Sequence, residues 1–247
     1  MGASNERIVG SGMIAGSFRR CVNALPRDIK ILAFGVSNSG KIHEDEYSRE
    51  RDRLGQELSR LNNSEKVIYF SSLLVGANLD VDYYKHKKTM ECFIVDRSMQ
   101  SHIFRLPQVV GQAGATHTLV SYFVNRVLQN KAVIVERNAK RFLLDVDDLT
   151  EVVVKTLQSQ AISKVDQHSM YAVLPCESID VIDIVTLIQD ILGIKVSIEF
   201  TDEAVQYDAF ELTKSVEKIS VGNAGYNEKV LRTKVPLIAS RLEASLT

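Results

Sequence analysis

Apolar positions along the chain fall into short runs separated by longer amphipathic stretches. Arg7 to Val9 is a brief apolar start, and Ile29 to Phe34 (IKILAF) is a run of strand length. Val67 to Phe70, Ser101 to Leu106 (SHIFRL), Ala132 to Val135, Met170 to Leu174 and Lys195 to Phe200 read the same way. Between them the period changes. Gly16 to Val22 can run as a helix. Glu44 to Leu61 carries Tyr47, Leu54, Leu58 and Leu61 at helical spacing, which predicts an amphipathic helix on one sheet face whose charges form its wet side. A further helix opens near Tyr83 and continues through Met90, Phe93 and Ile94 to about Val95. Thr118 to Asn130 is helical, with Leu119, Phe123, Val127 and Leu128 on its apolar side.

Later segments repeat the alternation. Arg141 to Asp148 reads as a strand running into a helix, with Asp147 and Asp148 where N-capping is wanted. Asp180 to Leu192 is amphipathic and ends at Gly193, a C-cap glycine. Thr201 to Ala224 is polar and poorly periodic, and Tyr226 to Leu246 closes with a helix. Strands alternating with helices predict an α/β fold.

Composition narrows the class. At 247 residues the chain suits one α/β domain with an appendage, or two small domains. Its formal net charge is −1, so nothing in the balance of charge points to nucleic acid or a membrane surface. No apolar run approaches the roughly 20 residues of a membrane span. The N-terminus lacks a basic start followed by an apolar stretch, so no secretory signal is expected and a cytoplasmic location is. Cys21, Cys92 and Cys176 have no metal-ligand spacing and fit buried thiols in a reducing compartment.

Two stretches carry candidate chemistry. Gly10-Ser11-Gly12-Met13-Ile14-Ala15 is a G-x-G-x-x-A turn between a strand and a helix. The first glycine permits a tight turn, the second lets a pyrophosphate approach the backbone, and the small third residue lets helix and strand pack closely. The second stretch is Val67 to Glu91, in which a strand ends in Ser71 and Ser72 and a helix then brings Tyr83-x-x-x-Lys87. Residues four apart share a helix face. A cation beside a phenol favours the phenolate, which can exchange a proton with an alcohol or ketone near neutral pH. Tyr84-x-x-x-Lys88 fits the same template, and so does a solvated helix start with a packed aromatic. Gly35-Val36-Ser37-Asn38-Ser39-Gly40 is a small-residue loop at a strand's carboxyl end, where open α/β sheets bind ligands.

The order of these pieces resembles the extended branch of the short-chain dehydrogenase/reductase superfamily, the nucleotide-sugar epimerases, dehydratases and reductases. The resemblance runs from GSGMIAG through LAFGVSNS, VIYFSS, Tyr83-x-x-x-Lys87 with Glu91, FRLPQVVG and RFLLDVDDL to CESIDVIDIVTLIQDILG. Glu91 completes the family's usual Y-x-x-x-K-x-x-x-E and sets the register on Tyr83. The resemblance implies a Rossmann-like, doubly wound parallel sheet with a small C-terminal α/β substrate subdomain, divided as residues 5–135 and 136–247. The sheet is expected to be truncated on the adenosine side. Between Cys21 and Ile29 there is no room for the second and third strands, and no acidic partner for the adenine ribose stands where one is wanted.

Carried over by residue, Tyr83 would donate and accept the proton, and Lys87 would lower its pKa and hold the nicotinamide ribose. Gly10, Gly12, Met13 and Ile14 would line the pyrophosphate of NAD or NADP. Gly35, Val36 and Ser37 would face the cofactor ribose, and Pro107 would lie near the nicotinamide. Gln108 and Arg141 would hold the nucleotide sugar. The hydroxyl that usually stands one place beyond FSS is replaced by Leu73, leaving Ser72 as the nearest substitute. The resemblance also implies a homodimer through the helices at Glu44–Leu61 and Tyr83.

Two functions follow as expectations. One is an NAD(P)-dependent oxidoreductase or epimerase acting on a nucleotide-activated sugar in surface-polysaccharide or related biosynthesis. The other is a catalytically degenerate scaffold that binds a nucleotide sugar or a protein partner without cofactor turnover.

Overall fold

The computed structural model describes residues 7–36, 44–77, 79–111, 118–160, 167–203 and 209–244. The strands are β1 (Ile8–Val9), β2 (Ile29–Leu32), β3 (Lys66–Ser72), β4 (Ser101–Leu106), β5 (Gln108–Val110), β6 (Val133–Arg137), β7 (Lys140–Arg141), β8 (Leu143–Asp145), β9 (His168–Pro175), β10 (Ile179–Asp180), β11 (Ile198–Glu203) and β12 (Glu217–Val221). The helices are α1 (Met13–Arg20), α2 (Glu44–Ser59), α3 (Asp82–Arg97), α4 (Leu119–Leu128), α5 (Val146–Gln160), α6 (Val181–Leu192), α7 (Ala209–Thr213) and α8 (Tyr226–Ala244).

The chain forms two compact units and passes between them more than once. The first contains Met1–Leu106, Asp147–Val173 and Ala209–Ile219; the second contains Pro107–Val146, Leu174–Asp208 and Ser220–Thr247. The expected division had a single boundary, after residue 135.

A six-stranded sheet in the order β1-β2-β3-β4-β9-β12 organises the first unit. The pairs from β1 through β9 are parallel, with β3 and β4 in continuous register from Val67↔Ser101 to Ser72↔Leu106. This is the Rossmann-like α/β sheet that the alternation predicts. Strand β1 is its edge, and among the described residues no strand lies outside it. The adenosine-side truncation is therefore present in the sheet itself.

Strand periodicity sends alternate β3 side chains to opposite faces. Val67 and Tyr69 face α2 and α3, where Leu54, Leu58, Met90 and Ile94 join Leu32 and Ile103 in one buried cluster. Phe70 faces the other way, stacked on Phe18 of α1 with ring centres 5.5 Å apart. Helices thus cover both faces, as in a doubly wound sheet. Helix α5 joins α1 through Ser17, whose hydroxyl donates to Asp147 Oδ1 (3.2 Å) and accepts from Thr150 (2.8 Å).

The second unit packs α4, α6 and α8 together. Its strands form three small ladders, β5 with β8 and β6 with β11 parallel, β7 with β10 antiparallel. Helix α6 ends at Gly193, whose φ of 68° makes the left-handed cap that its position predicts. A buried ion pair, Lys234 to Asp145 at 2.9 Å, ties α8 to β8.

Two expectations are corrected. Thr201 to Ala224 holds the end of β11 and all of β12, where an irregular stretch was expected. Strand β12 is a short strand at the sheet edge, mostly exposed, with only Ile219 and Val221 as apolar positions to read. The thiols are not buried as a set: Cys92 and Cys176 are exposed and Cys21 is half-buried.

Candidate functional site

Two places in the first unit gather the sequence-predicted residues. One is the glycine turn between β1 and α1. Gly10 has φ +134°, and a Cβ there would run into the Ala33 carbonyl, so only glycine suits the position. The close approach is fixed by the Ala33 amide donating to Val9 O at 2.8 Å. Ala15 is fully buried against this turn, which is the tight packing that the third motif position demands. Gly12 is the N-cap of α1, in extended conformation with no side-chain cap. Among the described residues nothing lies within 4 Å of where its Cβ would stand. Among the described residues no side chain caps the first turn of α1, and the position is open. Uncapped helix amides suit an anion, and the missing Cβ gives it room, so Gly10 to Ile14 fit a dinucleotide diphosphate.

The other place is the carboxyl end of β3, under α2 and α3. It is built around a residue that the sequence reading assigned to the wet side of its helix, Glu50. Its side chain is 1% exposed. Glu50 Oε1 accepts from Lys87 Nζ (2.9 Å) and from the Tyr69 hydroxyl (2.8 Å). Glu50 Oε2 accepts from the Val36 amide (3.0 Å) and lies 3.0 Å from His86 Nε2. An ionised carboxylate can only accept, so His86 donates. Burial pushes the Glu50 pKa up, but the His86 hydrogen bond, the Lys87 ammonium and the Val36 amide outweigh it and hold it at about 2. The carboxylate also rests where a Cβ at Gly35 would be, and the φ of +117° there likewise suits glycine.

Lys87 is buried, and its ammonium also donates to the Tyr69 hydroxyl at 3.2 Å. It stands 5.9 Å from the centre of the Tyr83 ring. The pKa of Tyr83 is raised above its ordinary value of 10.0, first by burial and then by the Glu50 charge, with Tyr84 and Tyr47 adding to it. The expected direction, a Tyr83 pKa lowered by Lys87, is therefore reversed in this arrangement. The physical reason is burial of the phenol first and the neighbouring Glu50 charge second, while the Lys87 ammonium is hydrogen-bonded to Glu50. Tyr69, fully buried, is likewise pushed well above its ordinary value by burial and the same carboxylate.

One turn on, Glu91 accepts two hydrogen bonds from Arg105 (2.9 and 2.7 Å), both side chains buried. This bidentate pair clamps α3 to β4. The Ser71 hydroxyl, opposite Arg105 in register, is buried with no hydrogen-bond partner among the described residues. Ser72 Oγ accepts from the Leu74 amide at 3.3 Å, and Leu73 is buried.

The remaining predicted residues separate. Ser37 lies outside the described residues. Pro107, Gln108 and Arg141 belong to the second unit. The Gln108 amide donates to Phe142 O at 3.1 Å, and Arg141 is tied to Glu136 at 3.3 Å and to the Lys140 carbonyl. His102 is buried against Tyr171, and burial lowers its pKa to about 4. Sequence reasoning missed Glu50, Tyr69 and His86. The available signal was Glu50 itself, which falls three after Tyr47 and four before Leu54, on the helix's apolar stripe.

No family model matches the sequence, and no curated protein matches it. Solved structures do. The chain is similar to UDP-glucose 4-epimerase from Thermus thermophilus in complex with NAD, with a TM-score of 0.61 and 13% identity over 84% of this chain and 76% of that one. It is similar to RMD from Pseudomonas aeruginosa complexed with NADPH, at TM-score 0.61 and 14% identity over 87% and 81%. UDP-glucose 4-epimerase from Thermotoga maritima, with UDP-glucose, gives 0.59 and 15% over 86% and 77%. At these identities the likeness is one of fold: the chain carries the Rossmann-like fold of these proteins.

Proposed function

We propose that the chain is an NAD(P)-dependent oxidoreductase or epimerase acting on a nucleotide-activated sugar, of the kind used in surface-polysaccharide or related biosynthesis. The observation that carries this reading is the open glycine turn, Gly10 to Ile14, at the head of α1 in a fold whose similar structures bind NAD, NADPH and UDP-glucose. When bound, the nicotinamide supplies or accepts the hydride. The chain's own part is to orient and to move a proton. The first-turn amides of α1 hold the diphosphate. Tyr83, kept protonated by burial and by Glu50, gives its proton to a sugar carbonyl oxygen and takes it back in the reverse direction. Ser72 supplies the second hydrogen bond to that oxygen. Pro107, Gln108 and Arg141, which the resemblance assigns to nicotinamide and nucleotide sugar, belong to the second unit and are not part of this reading.

A specific observation favours the second reading, a scaffold that binds without turnover. Lys87 is committed to Glu50 and Tyr69, and the position of the usual hydroxyl is Leu73, which is buried. Turnover separates the two. The enzyme reading predicts oxidation of NADH or NADPH with a nucleotide-ketosugar, lost at least about 100-fold in Tyr83→Phe while the fold persists. Full turnover in that variant removes Tyr83 from the mechanism. Saturable binding of ligands without any turnover selects the scaffold.

A further inference from the structure

Proton exchange at Tyr83 has no need of a carboxylate at position 50, yet one is buried there in the apolar stripe of α2. Glu50 makes four polar contacts within 3.0 Å, to Lys87, Tyr69, His86 and the Val36 amide. Its place against Gly35 leaves no space for another group at that point. The groups around the Lys87 ammonium are Glu50 from α2, Tyr69 from β3, and Tyr83 on its own helix. Beyond them stand Tyr47, its ring tilted against His86 at 4.4 Å, and Glu91, already neutralised by Arg105. Of these, the Glu50 carboxylate alone both carries a charge opposite to the ammonium and touches it.

We propose that Glu50 is a positioning residue, the resident ligand of Lys87, which holds the ammonium on its carboxylate and keeps it from hydrogen bonding to the Tyr83 hydroxyl or to any bound molecule. Tyr83 is then a hydrogen-bond donor across the physiological range, and Lys87 works through the architecture of the α2–β3–α3 layer. The burial of the pair follows from the same arrangement. A lysine free to meet ligand would need solvent or ligand on one side, whereas this side chain is 5% exposed. The role given to Tyr83 here rests on the reading above, but the test does not require catalysis.

The test is a tyrosinate absorbance titration of the full chain, with and without Tyr83→Phe so that the difference isolates Tyr83, repeated in a Glu50→Gln background. The expected result is no Tyr83 component below pH 10 in the parent, and a component shifted down by about 1 pH unit or more once the carboxylate is gone and the ammonium is released. A Tyr83 component at the same pH in both backgrounds overturns the proposal. A second measurement covers the case in which Glu50→Gln does not fold: the nitrogen resonance of the Lys87 ammonium by NMR. Tyr69→Phe should move it and Tyr83→Phe should leave it in place. The opposite pattern overturns the proposal. Absence of turnover would defeat the enzyme reading without touching either result.

Discussion

The glycine turn and the Glu50 cluster lie in the same unit and treat their polar groups in opposite ways. At the turn, α1 begins with an uncapped N-terminus under an open Gly12. At the end of β3, each charged group has found an internal partner, and the layer is closed by Glu50, Lys87, Tyr69 and His86. A site that binds ligand leaves hydrogen-bonding capacity unspent, and a site that stabilises the fold uses it internally. By that measure the turn keeps capacity for an anion, and the Tyr83–Lys87 helix is tied into the layer by its internal contacts.

The largest effect should come from breaking the closed side. Glu50→Ala leaves a buried ammonium and a buried phenol without their acceptor, and loss of one partner of a buried pair costs roughly 3–5 kcal/mol. Chemical denaturation should show a stability loss of that size, against almost none for Glu46→Ala on the same helix, where the side chain is half-exposed. Equal losses at the two positions would mean that the cluster is not a stabilising unit.

Acid should act on the same contrast. The Glu50 pKa is depressed from 4.5 to about 2 in the folded chain. A depressed carboxylate stabilises above its unfolded pKa, and that stability is lost as pH falls from 4.5 towards 2. The shift corresponds to roughly 3 kcal/mol. Stability measured through this window should fall more steeply in the parent than in Glu50→Gln, and parallel curves would contradict the role given to the charge.

The smallest effect should come from the open side. Gly12 has φ −77° and, among the described residues, no neighbour within 4 Å of a Cβ, so Gly12→Ala should change stability by less than about 1 kcal/mol. Gly10→Ala should cost clearly more, because its Cβ meets the Ala33 carbonyl at a positive φ. Thermal melts of the two variants measure the difference; equal melting points would mean that the turn is not built as described.

The sequence made the sheet legible because its central strands are apolar runs: Val67, Ile68 and Tyr69 of β3 and Ile103 and Phe104 of β4 are fully buried. The truncation was legible as well, since Leu25-Pro26 leads directly into β2. Strand β12 was not, because only Val221 of its five residues is buried. The glycine turn could be read locally, its residues being consecutive. The Glu50 cluster could not, since Glu50 and Lys87 are 37 residues apart and meet only when α2 and α3 pack on one sheet face. The i,i+4 spacing of Tyr83 and Lys87 gave a shared helix face but not the third group that decides where the ammonium goes.

The most direct test of the account is titration of NADH and NADPH with the protein, followed by dinucleotide fluorescence. The chain has no tryptophan, so its own emission interferes little. The account predicts saturable binding of at least one dinucleotide that is abolished by Gly12→Glu, in which a carboxylate stands where the diphosphate would lie. No binding of either, or binding that Gly12→Glu leaves intact, would contradict it.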